Sequence, residues 1–155
     1  MAGGIERRLE ELGHALPPLA RSIGLYVPTV RTGNQIWCVQ GPLWGDELRF
    51  VGRVGRELGL AEAKDAARLV CLNILAQLRD ACAGDLDRIS RCIRLGGFVN
   101  CTPEFNAHTE VMNAASALIV ELFGERGRHA RFVAGCASLP YDLAVEIEGV
   151  FEVAE

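Results

Sequence analysis

Lysine is nearly absent from this chain: Lys64 stands alone, so arginine supplies almost all of the 16 basic side chains set against 20 acidic ones. The net charge of -4 gives no basic face or stripe of the kind that grips a phosphate backbone, which argues against a nucleic-acid partner. Long apolar runs are missing as well. No stretch approaches a membrane span, and no basic start followed by an apolar run marks a secretory leader. Six cysteines are present, but no C-x-x-C pair and no histidine spacing that would build a metal site. Cys38, Cys71, Cys82, Cys92, Cys101 and Cys136 therefore read as small buried hydrophobes in a reducing, cytoplasmic setting. Gly52-Arg53-Val54-Gly55 fits neither the P-loop nor the dinucleotide pattern and reads as a turn or bulge. No cofactor and no metal are implied.

What is present suits one compact domain, since 155 residues that are 50% hydrophobic can bury a sizeable core. Ile5, Leu9 and Leu12 at helical spacing suggest a short amphipathic helix ended by Gly13, and Pro17-Pro18 and Gly24 make the following segment a connector. Residues 1–25 thus read as an arm, lid-like in position, ahead of a body of residues 26–155. Val27 to Val30 and Gln35 to Gln40 flank the turn cluster Thr32-Gly33-Asn34 as a hairpin, and Leu48 to Val51 follows as a short strand. Apolar residues from Ala63 to Leu78 recur every three or four positions, predicting a long helix over Glu62 to Cys82. Ile89 to Val99 reads as a strand whose alternation is interrupted by Arg91 and Arg94. Thr102-Pro103-Glu104 predicts the capped start of a second long helix running to Phe123. Strands over Arg131 to Leu139 and Leu143 to Val153 close the chain.

The order β-β-β-α-β-α-β-β predicts an α+β fold, a mixed sheet of about six strands with both long helices on one face. In the last strand Val145, Ile147, Phe151 and Val153 point one way and Glu146, Glu148, Val150 and Glu152 the other. A half-apolar chain with only one sheet face roofed favours burial of the other against further copies.

The segment RFVAGCASLPYDLAVEIE, with Arg131 opening a strand, the Leu139-Pro140 turn and Glu146-Ile147-Glu148 in the return strand, resembles the C-terminal signature of the RidA (YjgF, endoribonuclease L-PSP-like) family. Gly52-Arg53-Val54-Gly55, Phe98-Val99-Asn100, Val111-Met112-Asn113 and Phe123-Gly124 look most like its chorismate-mutase-like branch. The likeness spans Tyr26 to Val153. It implies a chorismate-mutase-like fold and a homotrimer with a central barrel and ligand clefts between subunits. It also implies that Arg131 holds a substrate carboxylate and Glu146 positions water, with Tyr26 and Asn113 lining the cleft. A guanidinium suits that role, because its planar donor fork meets a carboxylate in a bidentate way. Val39 and Val133 occupy cleft positions where the family usually carries serine and cysteine, and an isopropyl group offers neither donor nor acceptor.

The function implied is binding of a small carboxylate-bearing metabolite, with hydrolysis of a reactive enamine or imine to a 2-keto acid and ammonia as the deaminase form. A non-catalytic metabolite-binding or sensing trimer is the alternative that Val39 and Val133 favour. Chorismate-mutase chemistry rests on fold analogy alone. From residue types alone, Arg131 and Glu146 could equally form an ion pair locking neighbouring strands or a subunit interface. Arg126, Arg128, His129 and Arg131 make a basic cluster, read as an anion-attracting site or a solvated loop, and His14 and His108 read as surface residues.

Overall fold

Strict alternation makes Val145–Val153 a strand with one wholly apolar side, and this strand becomes the middle of the sheet. The computed structural model describes residues 3–155. Along the chain come α1 (Gly4–Glu11), β1 (Thr29–Thr32), β2 (Gln35–Gln40), β3 (Leu43–Trp44), β4 (Glu47–Leu48), α2 (Leu60–Ala81), β5 (Ile89–Asn100), α3 (His108–Phe123), β6 (Ala130–Cys136) and β7 (Val145–Val153). Five strands form one mixed sheet in the order β1-β2-β7-β5-β6, in which only β5 and β6 run parallel. β3 and β4 form a separate hairpin. This is the expected α+β architecture, with α2 and α3 packed on one face.

On the helix side, Ile36, Leu95, Val99, Val145, Ile147, Phe151 and Val153 are buried against Val70, Ile74, Leu78, Val111, Ala115 and Ile119. Cys38, Cys71 and Cys92 lie in the same core, where burial raises all three thiol pKa values, Cys92 to about 12. They are inert fillers, as are Cys82 and Cys101; Cys136 is only half-buried.

Several boundaries differ from the sequence reading for local reasons. The Gly33-Asn34 turn, with Gly33 at φ 57°, pairs Thr32 with Gln35 and so shifts β1 to Thr29–Thr32. The short strand expected over Leu48 to Val51 is split: Glu47–Leu48 pairs with Leu43–Trp44, while Val51 bridges Leu143. Arg91 and Arg94, which blur the alternation of β5, coincide with register shifts at Ile89/Arg91 and Cys92/Arg94. These bulges let Ile89, Cys92 and Leu95 all reach the core while the arginines stay outside. Thr102-Pro103 does not cap α3. Thr102 is tied to Val54 O (3.0 Å) and closes a turn with Phe105 N (3.2 Å), so the helix starts only at His108. His108 is no free surface residue either: its ring packs edge-on against Phe105, with Nε2 3.5 Å from the buried Cys101 Sγ.

α1 is docked on the body. Ile5 and Leu9 join the main core, and the Asp87 carboxylate accepts the N–H groups of Gly4 (2.6 Å) and Ile5 (2.9 Å) at the open start of the helix. Glu6 returns the contact by accepting Leu86 N–H at 3.1 Å. The two backbone bonds hold the Asp87 carboxyl below its ordinary pKa. A depressed folded-state pKa stabilises the fold above the unfolded value and loses that contribution as pH falls through the folded one. Asp87→Ala is therefore expected to speed amide exchange across α1 at pH 7, with the difference shrinking as pH falls below the ordinary aspartate range, measured residue by residue by hydrogen–deuterium exchange.

Candidate functional site

Residues directly opposite in paired strands share a face, and the register settles where each candidate projects. Arg131 pairs with Leu95, which is buried under the helices, so Arg131 leaves β6 on the helix side. Glu146 pairs with Phe98, which is 42% exposed on the open side. β5 lies between β6 and β7. Arg131 and Glu146 of one chain therefore neither neighbour nor face each other, and neither belongs to any ion pair among the described residues. The locking pair on this sheet is Arg94–Glu148 at 2.7 Å, with Arg94 also 5.0 Å from the centroid of the Phe132 ring.

The candidates separate into two groups. Glu146, Tyr26 and Val39 line one cavity of about 380 Å³, together with Ile23, Pro140 and Tyr141. Its walls are held from the core by amides inside the α2 stripe. Asn73 Nδ2 donates to Leu43 O at 2.6 Å, and Gln77 Nε2 donates to Ala20 O at 3.3 Å, pinning the connector and the start of the β3 hairpin. The far wall is a strained turn in which Tyr141 and Asp142 have φ of 56° and 57°. Fully buried Asn100 holds this turn through Nδ2 to Asp142 Oδ1 at 2.9 Å. Glu146 is half-buried here with no hydrogen-bond partner among the described residues, and burial raises its pKa. Val39 presents only methyl groups to the cavity.

The second group lies at the sheet edge under α3. Arg131 Nη1 donates to Asn113 Oδ1 at 2.9 Å and to Ser116 Oγ at 3.0 Å. Val133, two residues along on the same side, packs against the core. His129, expected in a basic cluster or a solvated loop, is instead half-buried: Nε2 is 2.9 Å from Ser116 Oγ and Nδ1 2.7 Å from Gly127 O. Burial chiefly lowers its pKa, with the Arg131 charge adding to the effect. Ser116, Asn73 and Gln77 went unread in the sequence, and Asn100 and Tyr141, though inside the family-like segments, were given no role. The three amides stand on apolar stripes or strand ends, and a polar side chain at such a position is the one signal that could have exposed them.

One sheet thus carries two separate groups of candidate residues, a carboxylate in an apolar cavity on its open side and an arginine with side-chain acceptors under a helix. The YjgF/chorismate-mutase-like family model matches residues 6–151, a span that starts inside α1 rather than at Tyr26. Protein TCP17 of Trypanosoma cruzi is 38% identical over 98% of this chain and 96% of its own length. The crystal structure of Agrobacterium tumefaciens Atu1372 superposes with TM-score 0.90 at 43% identity, covering 98% of this chain and 93% of that one. The Escherichia coli TdcF structure with bound serine shares the fold, with TM-score 0.63 at 20% identity over 88% of this chain and 94% of the other. The chain belongs to the YjgF/chorismate-mutase-like family and is a RidA-like protein with the chorismate-mutase-like fold.

A carboxyl whose pKa is raised by folding favours the folded state below its unfolded pKa and loses that contribution as pH rises through the folded one. Glu146→Gln is accordingly expected to unfold at higher urea than the parent at pH 7.5, with the gap closing toward pH 4. A loss of stability at pH 7.5 would reveal a cationic partner for the carboxylate instead.

Proposed function

We propose that the protein is a homotrimer built around the open faces of three sheets, and that it binds a small carboxylate-bearing metabolite in clefts between copies. The observation that carries this reading is the division of the candidate residues between opposite faces of one sheet. Arg131, Asn113 and Val133 of one copy complete the Tyr26, Val39 and Glu146 cavity of its neighbour. The open face suits such burial, since Val30, Trp37, Phe98 and Phe132 all stand exposed on it. The bound serine of TdcF, a small carboxylate-bearing ligand on the same fold, supports the ligand class.

In the catalytic form Arg131 anchors the carboxylate of a 2-imino acid, supplied as such or formed from 2-aminoacrylate when its methylene carbon takes a proton and its nitrogen gives one up. Water adds to the imine carbon, its proton passes to nitrogen by way of Glu146, and C–N cleavage releases ammonia as the 2-keto acid forms. An apolar cavity that favours the protonated carboxyl fits a group that both takes and returns a proton. The connector of residues 14–28 supplies part of the cavity wall, so the N-terminal arm shapes the cleft it adjoins. The second reading, a non-catalytic metabolite-binding trimer in the cytoplasm, is favoured by Val39 and Val133, which offer no hydrogen bond to an attacking water.

Ammonia release from freshly generated 2-aminoacrylate and larger 2-imino acids tests this directly. The parent should release ammonia above buffer, Arg131→Ala should lower kcat/KM by about a hundredfold through loss of a charge-assisted pair, and Glu146→Gln should lose turnover while keeping affinity. Sedimentation should give three times the chain mass. Release no faster than buffer would exclude the deaminase reading and leave the binding trimer; a monomer would remove both.

A further inference from the structure

We infer that Ser116 and His129 are positioning residues for Arg131, fixing which edge of its guanidinium is left for a ligand. This role deepens the carboxylate-binding reading and rests on it, but its geometry is complete within one chain.

Hydrogen-bond polarity can be followed outward from the backbone. The Gly127 carbonyl only accepts, so Nδ1 of His129, 2.7 Å away, carries the ring proton. A neutral ring then has Nε2 free to accept, and Ser116 Oγ at 2.9 Å donates its single proton there. With that proton engaged, the hydroxyl can offer Arg131 only a lone pair, which Nη1 meets at 3.0 Å. Asn113 Oδ1 takes the other Nη1 hydrogen at 2.9 Å. Both hydrogens of Nη1 are thereby consumed. The Nε and Nη2 hydrogens, which form the side-on edge of the fork, have no acceptor among the described residues, and that edge matches a carboxylate in a bidentate way.

The surroundings keep His129 neutral. From α3 it meets uncharged Ser116 and shares a shallow surface with Val120; from β6 the Arg131 charge disfavours a second one. Arg128, from the preceding turn, lines the same surface and is drawn toward Glu125 at 3.6 Å. No carboxylate contacts the imidazole among the described residues; the Gly127 carbonyl favours the protonated ring, and burial outweighs it with the Arg131 charge adding to the effect. If Ser116 is removed, Nη1 regains a free hydrogen; if His129 is removed, the Ser116 hydroxyl loses the acceptor that fixes its rotor and no longer holds a lone pair on Nη1, so in either case the guanidinium can turn about its terminal bonds.

The test uses the full chain labelled with ¹⁵N at histidine and arginine, at pH 7.5. His129 should show a protonated Nδ1 and an unprotonated Nε2, and the Arg131 Nη signals should be resolved by slow rotation. Ser116→Ala and His129→Phe should each collapse those Nη signals into an average, and Ser116→Thr, which keeps the hydroxyl, should restore them. In parallel, pyruvate as a carboxylate probe should bind about five- to tenfold more weakly to Ser116→Ala, the loss of one modest hydrogen bond, and not at all to Arg131→Ala. An Nε2–H tautomer, or Arg131 signals unchanged in Ser116→Ala, would overturn the positioning role. Pyruvate affinity that ignores Arg131→Ala would instead defeat the carboxylate-binding reading, which separates the two failures.

Discussion

Successive side chains of a strand must leave a sheet on opposite faces, and α2 and α3 cover only one of those faces here. Away from its edges the covered side is committed to the core, from Ile36 through Leu95 to Phe151. The uncovered side keeps Trp37, Phe98 and Phe132 in contact with solvent, beside an Arg94–Glu148 pair that is itself half exposed. Arg131 and Glu146 inherit their separation from this constraint. One sits at the edge of the covered side and the other in the uncovered one, so a single chain holds both groups without bringing them together.

The walls of the candidate site are fixed by buried amides rather than by apolar packing alone. Asn73, Gln77 and Asn100 each interrupt an otherwise hydrophobic surface and each grips a loop: the β3 hairpin, the connector and the Tyr141-Asp142 turn. A buried polar group left unpaired costs about 1–3 kcal/mol, so loosening any of these loops exposes the fold to that penalty. The same logic operates at the sheet edge, where the Gly127 carbonyl dictates the His129 tautomer and, through Ser116, the orientation of Arg131. Hydrogen bonds from the buried amides hold the loops around Glu146 in place, and those at the sheet edge leave the Nε–Nη2 edge of Arg131 without an acceptor among the described residues.

Much of the fold is legible in the sequence, because hydrophobic periodicity is local. The α2 and α3 stripes, the β7 alternation and the RidA-like run from Arg131 to Glu148 all announce themselves within a window of one element. Boundaries were less legible where distant residues intervene. Thr102 is claimed by Val54 instead of capping α3, Val51 is claimed by Leu143, and β5 accommodates its arginines by bulging. The candidate residues Arg131, Glu146, Tyr26, Asn113, Val39 and Val133 were readable as types, whereas their grouping was not.

The sequence by itself determined the fold class, the family and the chemical character of the candidate groups, since residue type, spacing and short motifs carry these directly. The tertiary structure decided that Tyr26, Val39 and Glu146 share one cavity and that Arg131, Asn113, Ser116 and His129 share another environment. Strand order is the reason: β5 inserts between β6 and β7, and pairing partners far apart in the chain set the face on which each side chain emerges.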